Sequence, residues 1–583
     1  MAAIVARIPS PREDALFTEL MRVFSEAQTW RATFANQWEE TAELIAPDYV
    51  NTFYYGDFNW PGQKKTFRQI DATGMAALGR FAAIVDSLIT PRNSVWHKVG
   101  VNDALLKRDR QTKLWLENLN NILWTQRYRP WANFSGQNSQ NFLQLGAFGN
   151  GAMFTDTFDD PARRQRGLRY RAIRLGELFL TENHQGMVDG FIRWWRMTPI
   201  QTAQKFGAGN LPGVVQSALD KNTSTPFQYL HWVHLNRDYD PDRLDWRGMP
   251  WHSVYASVEG HTILEEGGYH TFPMAVSRYM QAPNEVYGRG PAQYVLPSLK
   301  TLNAEKKVFL TQGHRAAAPP LLVADDGLIS PNVRPDAINK GGINADGKPM
   351  IGILPTGQIQ ITETMMAEER NLINDQFLVS LFQILTETPT MTATEVIERT
   401  HEKGILLAPT IGRQADEYLG PLLEREIDLL NQLRLIPPMP PLLREAGGMV
   451  DIEYTNPLSK AAKAGEAAGF MRTLQTAQEI VQVTQDPEPL DNFAFDRALP
   501  AIADLQSVPV SWLASPDEIA AKRKRRAQAQ QMQAQIQAAP AQAAMMKAQA
   551  VAAKAGQGPP QQPGMPGQVP VGPSPMQPNM PGA

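Results

Sequence analysis

The chain has 583 residues, a formal net charge of −3 and no cysteine. Such a length exceeds one hydrophobic core, so about two to four structural units are expected. The charge balance argues against a protein that coats nucleic acid, and the missing thiols exclude disulfides, zinc-thiolate sites and cysteine catalysis. Hydrophobic residues make up 43% of the chain, and 12 of the 13 tryptophans precede residue 252, which places the packed mass in the first half. The opening "MAAIVARIPSPRED" has too short an apolar run for a signal peptide. The most apolar early segment, "GMAALGRFAAIVDSLIT", carries Arg80 and Asp86 and falls short of the ~18 residues that a membrane span needs. The expectation is a soluble, intracellularly made protein with no membrane partner.

Residues 11–46 read as a helix: Leu16, Leu20, Val23 and Phe24, then Phe34, Trp38, Ala42 and Ile45, recur at helical spacing until Pro47. Further helices are predicted over 71–89 and 103–126. Short segments rich in β-branched and aromatic residues follow, namely "GAMFTDTF", "RYRAI", "GELFLTEN", "MVDGFIRWWRM", "FQYLHWVHL" and "WHSVYASV". They read as strands, so the first 285 residues form an α+β body. From Gly290 a helix is predicted to Ala316, starting on Pro291, whose missing N–H costs nothing there, and bent at Pro297. Two turn signals between apolar runs predict a small β excursion over 319–361. Helix resumes from Thr364 to Leu385. After the break "TETPTM" (386–391), the pair Thr392 and Glu395 has capping-box spacing. The helix it opens is expected to reach Leu435, interrupted at Gly404, Pro409 and Gly420–Pro421. A strand-like "GGMVDIEY" and a helix over 458–484 come next. From 528 the chain is Ala/Gln-rich and then Pro/Gly-rich, a composition that predicts a disordered tail.

Several stretches imitate chemical motifs. "GINADGK" (342–348) has the glycine and lysine spacing of a phosphate-binding loop. Pro349, however, stands where that loop needs a hydroxyl, and an apolar strand follows instead of a helix. A hairpin turn is expected. "DYDPDRLD" (238–245) begins like a calcium loop but has Arg243 and Met249 where Gly and Glu are required. His231 and His234 of "HWVH" fall on opposite faces of a strand, which disfavours chelation. Glu368 and Glu369 beside Arg370 read as a solvated helix face. No catalytic constellation, metal site or cofactor site is predicted. The one dense basic block, Lys522, Arg523, Lys524, Arg525 and Arg526, is either a solvated segment or a salt-dependent nucleic-acid contact.

The chain resembles the head-to-tail connector, or portal, proteins of short-tailed, T7-like (podovirus-type) double-stranded DNA bacteriophages over residues 20–500. The resemblance is carried by "IDATGMAALGRFAAIVDSLITPRNSVW" (70–96), "LGAFGNGAMFTD" (145–156), "TENHQGMVDGFIRWWRMTPIQTAQKFG" (181–207), "YGRGPAQYVLPSLKTLN" (287–303) and "MTATEVIERTHEKGILLAPTIGRQADEYLGPLLEREIDLLNQ" (391–432). It implies an α+β portal fold that forms a ring, normally of twelve subunits, in the virion at one capsid vertex. Residues 1–285 correspond to a wing, 286–318 and 363–385 to two stem helices, and 319–362 to a clip. Residues 386–391 correspond to a tunnel loop, 392–436 to a long kinked wing helix, 437–527 to a crown, and 528–583 to a tail outside the shared pattern. The implied partners are double-stranded DNA in the channel, the terminase large subunit at the clip, tail adaptor or nozzle proteins, and the major capsid and scaffolding proteins. No enzyme activity is implied, because ATP hydrolysis belongs to the separate terminase motor.

Residue expectations follow from these positions. Thr386, Glu387, Thr388, Pro389, Thr390 and Met391 would face DNA, and Lys306, Lys307 and Arg315 would line the stem channel. Gly288, Arg289, Gly290 and Pro291 would form the wing–stem hinge, the glycines accepting positive φ and the proline fixing the exit angle. Ile373, Phe377, Leu378, Leu381 and Phe382 span more than one helix face, so neighbouring copies are expected to bury some of them. A ring-forming adaptor or pore that does not act on DNA, and an enzyme with an unrecognised site, are the alternatives.

Overall fold

The computed structural model describes residues 10–53, 68–103, 105–107, 109–323, 331–332, 334, 336–354, 359–379, 409–410, 412–448, 450–454, 457–485, 488–505, 508 and 512–555. The chain divides into two compact units, Met1–Val510 and Ser511–Ala583.

The first unit opens with helix α1 (Pro11–Ile45). A reciprocal Ser10–Glu13 cap and Pro11 in the first turn start it. Its first half lays Phe17, Leu20 and Phe24 on a five-stranded antiparallel sheet, while its second half, through Trp38 and Ile45, enters the main core. Helix α2 (Thr73–Ile89) follows, then strand β1 (His97–Gly100), helix α3 (Arg110–Arg127) and helix α4 (Phe134–Phe148). Helix α3 starts later than the apolar pattern suggests because Asp109 caps it, accepting the Thr112 amide at 2.8 Å.

Two sheets come next. Strands β2 (Asn150–Asp160) and β3 (Gln165–Ala172) form a three-stranded sheet with β9 (Met274–Arg278), in the order β3-β2-β9. Strands β4 (Leu178–Glu182), β5 (Val188–Met197), β6 (Phe227–Leu235), β7 (Trp251–Ser257) and β8 (Thr262–Tyr269) form an antiparallel meander. Between β5 and β6 lie two helices absent from the sequence reading, α5 (Pro199–Phe206) and α6 (Gly213–Asp220). Phe206 of α5 joins Trp195, Tyr229, Tyr255 and Leu264 in an apolar cluster of the meander separate from the one under α1.

Pro291–Tyr294 (α7) and Leu296–Ala317 (α8) replace the single bent helix expected from 290. The chain pauses at Val295, so Pro297 sits in the first turn of α8, where no intrahelical bond is forfeited. Strands β10 (Leu321–Val323) and β11 (Ile351–Ile353) pair antiparallel and lead into α9 (Ile359–Gln376). The "GINADGK" stretch between them is a tight turn. The Gly347 amide donates to Asn344 O at 3.0 Å with Gly347 at φ +76°, and Met350 N donates to Gly342 O.

A π-helical turn, Ala415–Leu419, runs directly into α10 (Gly420–Gln432). Gly420–Pro421 therefore does not break the helix. Pro421 has no N–H to give, and the wider π turn ahead of it absorbs the mismatch. Helix α11 (Pro441–Glu445) and strand β12 (Asp451–Tyr454) follow, and β12 pairs with β1. Leu443 is buried in the main core and Trp115 donates to Pro437 O at 3.0 Å, so residues 437–454 are built into the body on which the wing expectation ended at 436. Helices α12 (Pro457–Thr484), α13 (Glu488–Asp491) and α14 (Phe495–Leu505) complete this unit.

In the second unit, α15 (Pro516–Ala555) runs for 40 residues. The disorder expected from 528 is corrected as far as Ala555. Ala and Gln are strong helix formers, and a Ser515–Glu518 capping box starts the helix.

Candidate functional site

The hinge residues Gly288, Arg289, Gly290 and Pro291 lie where the body meets α7 and α8, against the C-terminus of α4. Gly149, at φ +74°, terminates α4. A Cβ on Gly290 would stand 2.6 Å from Gly149 N and 2.8 Å from Gly146 O, and one on Gly288 would stand 2.7 Å from Gly149 O. Gly290 itself has φ −93° and ψ 165°. The expectation of positive φ is thus corrected: glycine is needed here because backbone packs on backbone. Asn150 locks the contact, its Nδ2 donating to Gly288 O at 2.9 Å and its Oδ1 accepting Gly288 N at 2.7 Å. Gly290 N donates to Gln293 Oε1 at 3.0 Å, and Gln293 N donates back to Gly290 O. Arg289 forms a fork with Glu285, and the side-chain bonds to its guanidinium hold the Glu285 carboxyl below the usual range.

Arg278, at the end of β9, ties this junction to the π turn. Its side chain pairs with Glu182 and with both oxygens of Glu417 at 3.0 and 3.1 Å, and donates to Val286 O and Gly186 O. Gln414 Nε2 donates to Arg278 O at 2.8 Å, and Ser277 donates to Gln414. The helix entering at Gln414 and the entry to α7 are therefore clamped by one arginine. Sequence reading missed Gly149, Asn150, Arg278, Gln414 and Glu417. Only "LGAFGNG", with its helix-ending glycine, carried a local signal.

Beyond the hinge, α8 and α9 pack side by side. Leu296, Leu299 and Leu302 bury the base of α8, and Met366, Ile373 and Phe377 bury α9 and the residues just after it. Phe377 meets Phe81 of α2 at 6.0 Å between ring centres. Ile373 and Phe377 are thus covered within one chain, so they are not among the residues left for neighbouring copies to bury; Leu378 is half-buried, and Leu381 and Phe382 lie outside the described residues. A different stripe is bare: Ile361 (57% exposed), Met365 (48%) and Leu372 (51%) recur at helical spacing on α9. Leu372 also lines, with Tyr294, Asn371 and Asp375, a groove of about 570 Å³ at the base of the hairpin. At its tip Leu322, Val323, Ile343 and Ile353 are exposed.

Lys306, Lys307 and Arg315 all lie on α8. Lys307 and Arg315 are exposed, whereas Lys306 leans over the Phe309 ring at 5.3 Å. Glu368 is exposed, as a solvated helix face requires, whereas Glu369 is half-buried. Glu305 of α8 and Glu369 of α9 each bury a carboxyl oxygen without a hydrogen-bond partner, and burial, with Glu369 and Glu368 nearby, raises the Glu305 pKa. Arg370 pairs with Asp71 at 2.7 Å. Thr386, Glu387, Thr388, Pro389, Thr390 and Met391, with Thr392 and Glu395, lie outside the described residues. Lys522, Arg523, Lys524, Arg525 and Arg526 are exposed on α15 of the second unit. Among the described residues no acidic or histidine cluster could hold a metal ion, and no helix is long and apolar enough to cross a membrane. The geometry is suited to holding segments at fixed angles and offering an apolar edge.

Residues 18–513 match the family described as bacteriophage head to tail connecting protein. The portal protein of Salmonella phage epsilon15 is 27% identical over 524 residues, covering 87% of this chain and 91% of that protein. The probable portal protein of Bordetella phage BPP-1 is 25% identical over 524 residues, covering 87% and 90%. Among solved structures, a chain from the virion of a native gene transfer agent particle overlaps 72% of this chain and 91% of its own at 13% identity. Its TM-score is 0.35, too low to carry any conclusion.

Proposed function

The chain belongs to the family of bacteriophage head to tail connecting proteins, and from that premise we propose that copies of it close into a portal ring at one capsid vertex. A ring of about twelve follows the family pattern, with closed cyclic symmetry requiring the same exit angle in every subunit. Its bore passes double-stranded DNA during packaging and ejection. The hairpin tip, within 319–362, docks the terminase large subunit, other faces meet tail adaptor or nozzle proteins and the major capsid and scaffolding proteins, and the ring nucleates procapsid assembly. On this reading the chain is a conduit and catalyses nothing. Residues 386–391 form the loop facing DNA, Lys307 and Arg315 the cationic side of the stem, and the near-balanced total charge keeps counterion release, and hence drag on sliding DNA, small.

The observation that carries the reading is the bare stripe Ile361, Met365 and Leu372 on a hairpin whose other apolar row is already buried. At ~25 cal/mol per Å² of apolar surface, covering it by a neighbour and repeating the contact around a ring stabilises the assembly by many kcal/mol. The test is a packaging reaction with terminase, using protein whose tip residues 336–354 are replaced by a Gly/Ser linker. The expected result is intact rings that no longer bind terminase or package DNA. Unchanged packaging would contradict the assignment of the tip.

A further inference from the structure

A second concavity lies in the body, apart from the hinge and hairpin. It occupies about 380 Å³ between the three-stranded sheet and the five-stranded meander, with Arg169 and Arg171 from β3, Arg193 from β5 and Lys205 from α5 lining it. Four cations there face one lining carboxylate, Asp156 of β2. Arg193 is already satisfied by Glu177 at 2.9 Å, and Arg169 donates to Trp131 O. Arg171 and Lys205 have no carboxylate within ion-pair distance among the described residues. Lys205 instead holds its ammonium 3.7 Å above the Tyr255 ring, which orients it without neutralising it.

Such crowding of like charge is unfavourable unless an anion offsets it. Both side chains reach solvent through its mouth, yet desolvation in its walls, with Arg193 next, lowers Arg171 to about 10 and Lys205 to about 8. His231, behind them, is held neutral by burial and by Lys205 and Arg193. An arrangement that repels its own protons is complementary to a bound anion. Arginine offers a planar donor fork and lysine a mobile point charge, the pair that phosphate groups select.

We propose that this pocket binds a phosphate-type oxyanion carried by a small ligand, gripped between Arg171 and Lys205. Behind the two cations, His231 stacks flat on Tyr255, 3.9 Å between ring centres, and with Lys205 on the other face of Tyr255 this fixes where the ammonium stands.

The probe is inorganic phosphate, titrated calorimetrically into the full chain at constant ionic strength against a chloride reference. Saturable binding is expected that chloride does not reproduce. Arg171→Gln and Lys205→Gln should each weaken it by about tenfold, as loss of a charge-assisted hydrogen bond does. Asp156→Asn, which removes the lining carboxylate and keeps an acceptor for the Thr157 amide, should tighten it. Absence of saturable binding, or equal affinity in the double variant Arg171→Gln/Lys205→Gln, would overturn the proposal. A short DNA duplex that displaces phosphate from the wild type would overturn the small-ligand assignment.

Discussion

The backbone of Gly290 is pressed against that of Gly149 so closely that a single added methyl group would lie 2.6 Å from the Gly149 nitrogen. Neither partner can retreat cheaply, because Asn150 pins Gly288 and Gln293 pins Gly290. Gly290→Ala should therefore destabilise the body by about 1–3 kcal/mol, the usual range for overpacking. Gly313→Ala on α8, where a Cβ meets nothing within 4 Å, should stabilise by about 0.5–1 kcal/mol. Thermal unfolding of the two variants should move in opposite directions.

Arg127 and Glu426 join α3 to α10 with both side chains fully buried. The carboxylate also accepts the Tyr170 hydroxyl at 2.6 Å, and the guanidinium lies 4.4 Å from the Trp96 ring centre. Burial pulls the Arg127 pKa down, but the Glu426 carboxylate outweighs it and the net shift is upward. Glu426→Gln leaves that charge uncompensated and should cost about 3–5 kcal/mol. Chemical denaturation would show the loss as a lower midpoint.

Histidines set the acid limit. Burial holds His97 and His231 well below their ordinary value and His234 and His252 at about 4. His97 must stay neutral to accept Arg127 Nη1 at 3.2 Å. The unfolded chain, whose histidines titrate near 6.5, takes up more protons than the folded one below that pH. Stability is thus fully present above about pH 6.5 and is lost as pH falls toward 4. Melting temperature should drop between pH 7 and 5, and less steeply in His231→Gln.

Glu305 and Glu369 face one another's helices with buried, unpartnered oxygens. Glu305→Gln removes one of two mutually repelling charges and should raise the melting temperature at pH 7 while leaving it little changed near pH 4, where the raised pKa already keeps Glu305 protonated. A fall at pH 7 would show that the carboxylate is used.

How much of this was legible in sequence depends on where the determinants lie. Helix α1 was readable because its apolar rows and its cap are local, and β5 and β6 because aromatic and β-branched residues dominate them. Helix α4 was not: "NFSGQNSQNFLQLGAF" looks polar, and its Asn138 and Gln144 are buried because they bond to Thr90 and to the Leu175 amide, partners remote in sequence. Pairing of β1 with β12 spans more than 350 residues and leaves no local trace. At the hinge the glycines were visible, but the reason for them was not, since Gly149 is distant in the chain. The bare stripe on α9 was not read from sequence, which singled out the row of Ile373 and Phe377 instead; both repeat at helical spacing, and packing against Phe81 marks which one the body covers.

Self-association through that stripe is most directly tested by negative-stain microscopy of the purified full-length chain beside its Ile361→Glu/Leu372→Glu variant. The wild type should show closed rosettes with a central hole, and the variant single subunits with an unchanged melting temperature. Compact monomers from the wild type, or rosettes from the variant, would contradict the account.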